Sequence, residues 1–156
     1  MPNVALRVGV LATATTLGAL VGFGVRAGAA TGLLSAGGLA LRGLPDVVSP
    51  DRGIGLSTIA GALQHAAVTL AWSIVFTAVA GRWRGTRGVV AALACAVLVW
   101  VVDARLPTPL RLAAGVLDPA QRALVATLLG AALAIGTRLA LPRGAPAATA
   151  STGAST

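Results

Sequence analysis

Residues 54–80 read IGLSTIAGALQHAAVTLAWSIVFTAVA and contain no Asp, Glu, Lys or Arg. As one helix rising ~1.5 Å per residue, this stretch would reach ~40 Å, which exceeds the ~30 Å hydrocarbon thickness of a bilayer. A short turn carrying Arg82, Arg84 and Arg87 follows at once. The stretch therefore predicts a membrane-spanning helix that ends in a basic turn and holds one ionisable group, His65, at mid-depth.

The composition extends this interpretation to the whole chain. Of 156 residues, 56% are hydrophobic and 10% are charged, with a mean hydropathy of +0.88, whereas soluble domains average about 25% charged residues. All basic residues are Arg and lie near the ends of apolar runs, where they set topology and contact anionic headgroups. We therefore expect the lipid bilayer as the partner, and we do not interpret the formal charge of +8 as a sign of nucleic-acid binding.

Four apolar segments predict an all-α polytopic membrane protein, with four transmembrane helices and short interfacial segments in the outer connections. The predicted spans are residues 4–25, 54–80, 86–106 and 119–141, within one integral membrane domain of residues 1–141. Ser49 before Pro50 indicates an N-cap leading into the second span, and residues 118–121, DPAQ, predict a start close to a capping box for the fourth. Residues 142–156 have the Pro/Ala/Ser/Thr/Gly composition of a disordered tail.

Two segments allow alternative interpretations. Residues 4–25 are either an uncleaved span or a secretory signal with Arg7 as its basic region and small residues 27–29 as its cleavage site; the length of the apolar run favours the uncleaved span. Residues 27–45 are apolar, rich in Gly and interrupted by one Arg. Because they are short for a span, we expect a short helix that lies at the interface or re-enters the membrane, and we favour this over a fifth span. A second short interfacial helix is expected within residues 110–117.

Small residues spaced four apart form one stripe in the first span and one in the last. The two stripes are Ala14, Gly18 and Gly22, and Ala126, Gly130 and Ala134. Small side chains let a second helix approach closely within a membrane. We therefore expect both stripes to lie at contacts between helices.

With four spans, both termini lie on the same side of the membrane. Six Arg residues fall on each side, so the count alone does not decide the orientation. The basic turn at residues 81–88 is short, whereas the opposite connections are long and hold every Asp, and the positive-inside rule weights short loops. Together with a composition typical of GC-rich bacterial genomes, this predicts a bacterial inner-membrane protein with both termini in the cytoplasm.

The residue types needed for common enzymatic or metal sites are scarce. The chain has one His, one Cys, no Glu and no Lys, so His65 and Cys95 supply only two of the three or four protein ligands that a zinc site needs. A phosphate-binding loop would need a Lys after its glycines. We therefore expect no enzymatic activity, no catalytic residues, no metal and no cofactor.

A polar stripe in the second span is the strongest candidate for a site. Its members, His65, Thr69, Ser73 and Thr77, recur every four residues, which keeps them on nearly one helix face. An ionisable residue inside a membrane is a functional candidate, and an unperturbed His titrates near pH ~6.5. In the alternative, packing interpretation, the imidazole bonds a neighbouring helix and the hydroxyls bond carbonyls four residues earlier.

Asp103 forms a second candidate, an ion pair on the outer side. It lies in the last turn of the predicted third span, where the helix dipole disfavours a carboxylate. We therefore expect an Arg partner from another outer segment. The candidates are Arg52, Arg111 and Arg122.

Spans two to four resemble the YagU-like group of small bacterial inner-membrane proteins. The resembling features are His65 followed seven residues later by Trp72, the short basic turn, Arg87-Gly88 at the start of span three, and a Pro-containing connection before a last helix rich in small residues. The resemblance implies a four-span protein without an assigned reaction. Some members are linked to acid tolerance, which would suit a buried His.

Two function classes follow from these patterns. The favoured class is a structural or accessory membrane component that associates with itself as a homo-oligomer or with a partner membrane subunit. The alternative is a small transporter or proton-linked channel subunit that uses the His65 stripe. The two differ in whether the stripe meets a packed helix or lines a hydrated cavity.

Overall fold

The described part of the chain forms five helices. The computed structural model describes residues 2–43, 54–81, 83, 85–107, 110–111 and 117–140. The helices are α1 (Pro2–Arg26), α2 (Gly32–Ala40), α3 (Leu56–Ala80), α4 (Gly85–Asp103) and α5 (Pro119–Ala140). All of them except α2 are long and apolar enough to cross a membrane. The predicted all-α polytopic fold with four spans is confirmed.

The last two spans begin and end close to their predicted limits. The Asp118 Oδ1 atom accepts a hydrogen bond from the Gln121 backbone N–H at 2.8 Å, and the Gln121 Oε1 atom accepts one from the Asp118 N–H at 3.2 Å. This reciprocal pair is the predicted capping box, which satisfies donors that a helix start leaves without partners. The third span ends earlier than predicted: α4 stops at Asp103, and residues 104–106 form a turn.

The start of α3 differs from the prediction. Its N-cap is Gly55, whose backbone N–H donates to Thr58 Oγ1 at 3.3 Å, whereas the sequence predicts Ser49. Ser49 lies outside the described residues. The predicted disordered tail at 142–156 and most of the predicted interfacial helix at 110–117 also lie outside them.

The first helix is the centre of the arrangement. It packs against both α3 and α5, which contact each other little. The short helix α2 packs mainly against α3, and α4 packs mainly against α5. Although a short turn joins α3 to α4, these two helices contact each other little.

The face that α1 turns to its neighbours is not the predicted one. Its buried positions include Val8, Ala12, Thr16 and Leu20. The predicted stripe of Ala14, Gly18 and Gly22 is exposed, and nothing lies within 4 Å of a Cβ atom added at either glycine. Small residues permit close approach without requiring it, and a face with Val and Leu gives more dispersion contact. Within the described chain, the predicted helix contact at this stripe is therefore not formed.

The second predicted stripe does lie between helices. Ala126 and Gly130 of α5 are buried, and a Cβ added at Gly130 would lie 2.8 Å from the Ala92 carbonyl oxygen and 2.8 Å from the Ala96 Cβ atom of α4. The two backbones therefore approach closely at this point, as predicted.

The nine-residue helix α2 lies along the first turns of α3. At ~1.5 Å per residue it is ~13 Å long, so the fifth-span interpretation is wrong and a short helix is what forms. Gly38 lies against Ser57, and Gly61 lies against Leu34, so residue numbers rise along α2 as they fall along α3. A Cβ added at Gly38 or Gly61 would overlap the facing backbone carbonyl. The two helices are thus antiparallel and in backbone contact.

Candidate functional site

The polar stripe of α3 faces α1. His65 is 1% exposed, and Thr69 and Ser73 are fully buried, while Thr77 near the end of α3 is partly buried. Gly9 of α1 allows this approach, because a Cβ added there would lie 3.5 Å from the Ser73 Cβ atom and would overlap the end of Leu70. The stripe is therefore directed into the helix packing and away from lipid.

The His65 ring forms a hydrogen bond to α1. Its Nε2 atom lies 2.7 Å from Thr16 Oγ1, which also lies 2.9 Å from the Ala12 carbonyl oxygen. A hydroxyl has one proton and two lone pairs. Thr16 therefore donates to Ala12 and accepts from Nε2–H when the neutral ring carries its proton on that nitrogen. This arrangement bonds two buried polar groups that would be costly to leave unsatisfied in an apolar interior.

The hydroxyl groups of the stripe bond the backbone of their own helix. Thr69, Ser73 and Thr77 each donate to the carbonyl oxygen four residues earlier, at 2.8 Å in every case. Such bonds shield a hydroxyl without the help of another helix. The hydroxyl protons are thus held by the α3 backbone, and the geometry matches the packing interpretation of the stripe.

A second set of polar contacts joins the α1–α3 and α4–α5 connections to the first half of α3. Gln64 Nε2 donates to the Arg111 carbonyl oxygen at 2.8 Å, and Arg111 Nε donates to the Leu106 carbonyl oxygen at 2.8 Å. Ser35 Oγ of α2 lies 2.7 Å from Thr58 Oγ1. Sequence reasoning missed the Ser35–Thr58 pair and the role of Thr16. The available signal was the presence of hydroxyl residues within otherwise apolar helices.

Asp103 lies at the end of α4 and is 5% exposed. It shares the lining of a cavity of about 10 Å³ with Arg122 of α5 and with apolar residues that include Val99 and Leu117. This volume holds about one water molecule, and the buried Arg122 Nε atom in its lining has no hydrogen-bond partner among the described residues.

Of the three predicted partners of Asp103, Arg122 is the one that lines this cavity. The Arg111 Nε atom bonds a backbone carbonyl, and Arg52 lies outside the described residues. The ion pair itself stays a prediction, and the shared cavity favours Arg122 as the partner of Asp103.

Ligand sets for a metal ion are absent from the described ranges. Within them, no three His, Cys, Asp or Glu side chains come together, and Cys95 is a half-buried free thiol. The expectations of no metal, no cofactor and no enzymatic activity stay predictions. Comparison of the chain with protein families, with curated proteins and with solved structures gives no match.

Proposed function

We propose that this multi-pass membrane protein is a structural or accessory component of a bacterial inner membrane. The main support for this proposal is that the polar stripe of α3 lies in the contact with α1. His65 forms a hydrogen bond to Thr16 across this contact, and the hydroxyls of the stripe donate to the backbone of their own helix. Proton relays in membrane proteins are chains of Asp, Glu and His side chains, whereas His65 is the one ionisable member of this stripe. The resemblance to the YagU-like group stays a prediction.

We further propose that the protein associates with a second copy or with a partner membrane subunit. The exposed stripe of Ala14, Gly18 and Gly22 on α1 supports this, because nothing in the described chain covers its glycines. Small residues four apart allow close contact between helices of different chains. The remaining apolar surface is covered by lipid.

The proposed orientation places both termini in the cytoplasm and retains α1 in the mature protein. Retention is supported by the central position of α1, since its removal would take away Thr16, the partner of His65. Reporter fusions after Arg87 and after Ala147 should both give a cytoplasmic signal, and a fusion at Val48 should give a periplasmic one. A periplasmic signal at Arg87 would overturn this orientation, and a mass well below 15.2 kDa would overturn the retention of α1.

His65 provides the test between packing and proton handling. We expect His65→Gln to keep most of the stability of the solubilised protein. His65→Leu should lower the stability by about 1 kcal/mol or raise it slightly through better packing, and Thr16→Val should lower it by about 1 kcal/mol, because it removes the partner of His65. In a double-mutant cycle, the coupling energy between His65→Leu and Thr16→Val should be on the order of 0.6 kcal/mol, the average for hydrogen bonds between membrane helices. Thr127→Val is the matched control, because that hydroxyl is exposed and, among the described residues, donates to the Ala123 carbonyl oxygen of its own helix. Stability is measured by denaturant titration in mixed micelles.

The same variants are reconstituted into vesicles that enclose a pH-sensitive dye. The wild type and His65→Gln should give the same proton leak as protein-free vesicles, and the wild type should run as a complex larger than one chain after extraction in mild detergent. A pH-dependent proton flux that His65→Gln abolishes without loss of stability would replace our proposal with the transporter or channel alternative.

A further inference from the structure

An open depression, separate from the candidate site around His65, lies at the turn between α3 and α4. It has a volume of about 390 Å³ and is lined by Trp83, Thr86, Arg87 and Val90. Trp83 is 50% exposed, Val90 is 59% exposed, and Thr86 and Arg87 are exposed as well. The depression therefore brings together an indole, a hydroxyl, a guanidinium group and an aliphatic side chain.

Two glycines give the turn its shape. Gly85 has a φ of 61°, a left-handed conformation that favours glycine. A Cβ added at Gly88 would lie 2.7 Å from the Trp83 carbonyl oxygen, so the chain at Trp83 folds back onto the first turn of α4. The position of the indole beside Thr86 and Arg87 thus results from the backbone of the turn.

An exposed apolar stripe continues from the depression along α4. Its members are Val90, Leu93, Val97 and Val101, which share one face of the helix at spacings of three and four. The opposite face, with Ala92, Ala96 and Val99, is buried. From position 90 to position 101 the stripe is ~16 Å long, about half of the ~30 Å hydrocarbon thickness and thus about one leaflet.

We propose that this surface binds an anionic phospholipid. Arg87 binds the phosphate and the Thr86 hydroxyl donates to it, Trp83 lies at the level of the headgroup, and one acyl chain follows the apolar stripe. Phosphate recognition by Arg is charge-assisted, and Trp is typical of the membrane–water boundary.

Charge selects this occupant over others. The sequence places Arg82 and Arg84 on either side of Trp83, within a chain of net charge +8. A second copy of the chain would bring the same basic turn and would be repelled, whereas an anionic headgroup is attracted by each basic residue near the membrane surface. A zwitterionic headgroup gains less from the same field.

The test uses the indole as the reporter. In the Trp72→Phe/Trp100→Phe protein, Trp83 is the remaining tryptophan, and its emission is titrated with phosphatidylglycerol or phosphatidylcholine carrying brominated chains, in mixed micelles. We expect stronger quenching by the anionic lipid, a preference that weakens as salt is raised. Arg87→Gln should reduce the apparent affinity for the anionic lipid about fivefold, as expected from the loss of one surface cation.

Arg138→Gln is the matched control, because Arg138 is an exposed cation in the last turn of α5 and does not line the depression. It should leave the affinity nearly unchanged. The proposal would be overturned by equal quenching with both lipids or by an equal loss of affinity for the anionic lipid in the two Arg variants. Displacement of the lipid by soluble glycerol phosphate would overturn it as well. If the tryptophan-replaced protein does not fold, native mass spectrometry of the wild type and Arg87→Gln with the same two lipids gives the same comparison.

Discussion

Gly61→Ala is expected to separate α2 from α3 and to lower the stability of the solubilised protein by on the order of 3 kcal/mol. The added methyl group would overlap the Leu34 carbonyl oxygen and would lie 2.9 Å from the Gly38 nitrogen. These are backbone atoms, so no side-chain rotation relieves the overlap, and overpacking of this kind costs ~1–3 kcal/mol before the loss of packing is added. Denaturant titration in mixed micelles measures the change.

A matched control is available on α1. Gly18 is also a helical glycine, but nothing in the described chain lies within 4 Å of a Cβ added there. In a detergent in which the protein runs as a single chain, Gly18→Ala should therefore be neutral or should gain up to ~1 kcal/mol from helix propensity. The separation of α2 from α3 is measured independently by the rate of maleimide labelling at Ala36→Cys, in a protein that also carries Cys95→Ser. Ala36 is fully buried and should react slowly with a maleimide until Gly61→Ala is added. Unchanged stability together with unchanged labelling would contradict the backbone contact.

Asp103→Ala and Arg122→Ala are each expected to cost on the order of 2 kcal/mol, and the double variant should cost clearly less than the sum of the two. In the predicted ion pair, removal of one side chain leaves the charge of the other at a cavity lined by Val99, Trp100 and Leu117, and breaking a buried pair is strongly destabilising. Arg105→Ala is the control, since Arg105 is exposed in the adjoining turn and surface changes stay within ~0.5 kcal/mol.

Double-mutant cycles with Asp103→Ala also distinguish among the three predicted Arg partners. Coupling energies are measured for Asp103→Ala with Arg122→Ala, with Arg111→Ala and with Arg52→Ala, by denaturant titration in each case. The largest coupling should belong to Arg122, which shares the cavity with Asp103. Strict additivity with Arg122 and a large coupling with Arg52 would move the ion pair to the connection before α3.

Local features of the fold follow from the sequence because they depend on neighbouring residues alone. Apolar length is sufficient to predict the four spans, and the spacing of Asp118 and Gln121 is sufficient to predict their capping box. The four-residue period of the α3 stripe predicts that its polar groups share one face. A bilayer offers polar groups no solvent, which leaves the helix packing as the place for that face.

The pairing of helices is decided only by the tertiary structure. Nearly every face of a membrane helix is apolar, so hydrophobicity does not orient one helix toward another, and close contact between backbones and side chains decides instead. Neither the sequence of α1 nor that of α3 indicates that Thr16 is the partner of His65, or that α1 turns Val8 inward and Gly18 outward. The same reason explains why α4 packs against α5 and contacts α3 little, although a short turn joins it to α3. Such a choice depends on the shapes of surfaces that are far apart in the chain and meet only in the folded protein.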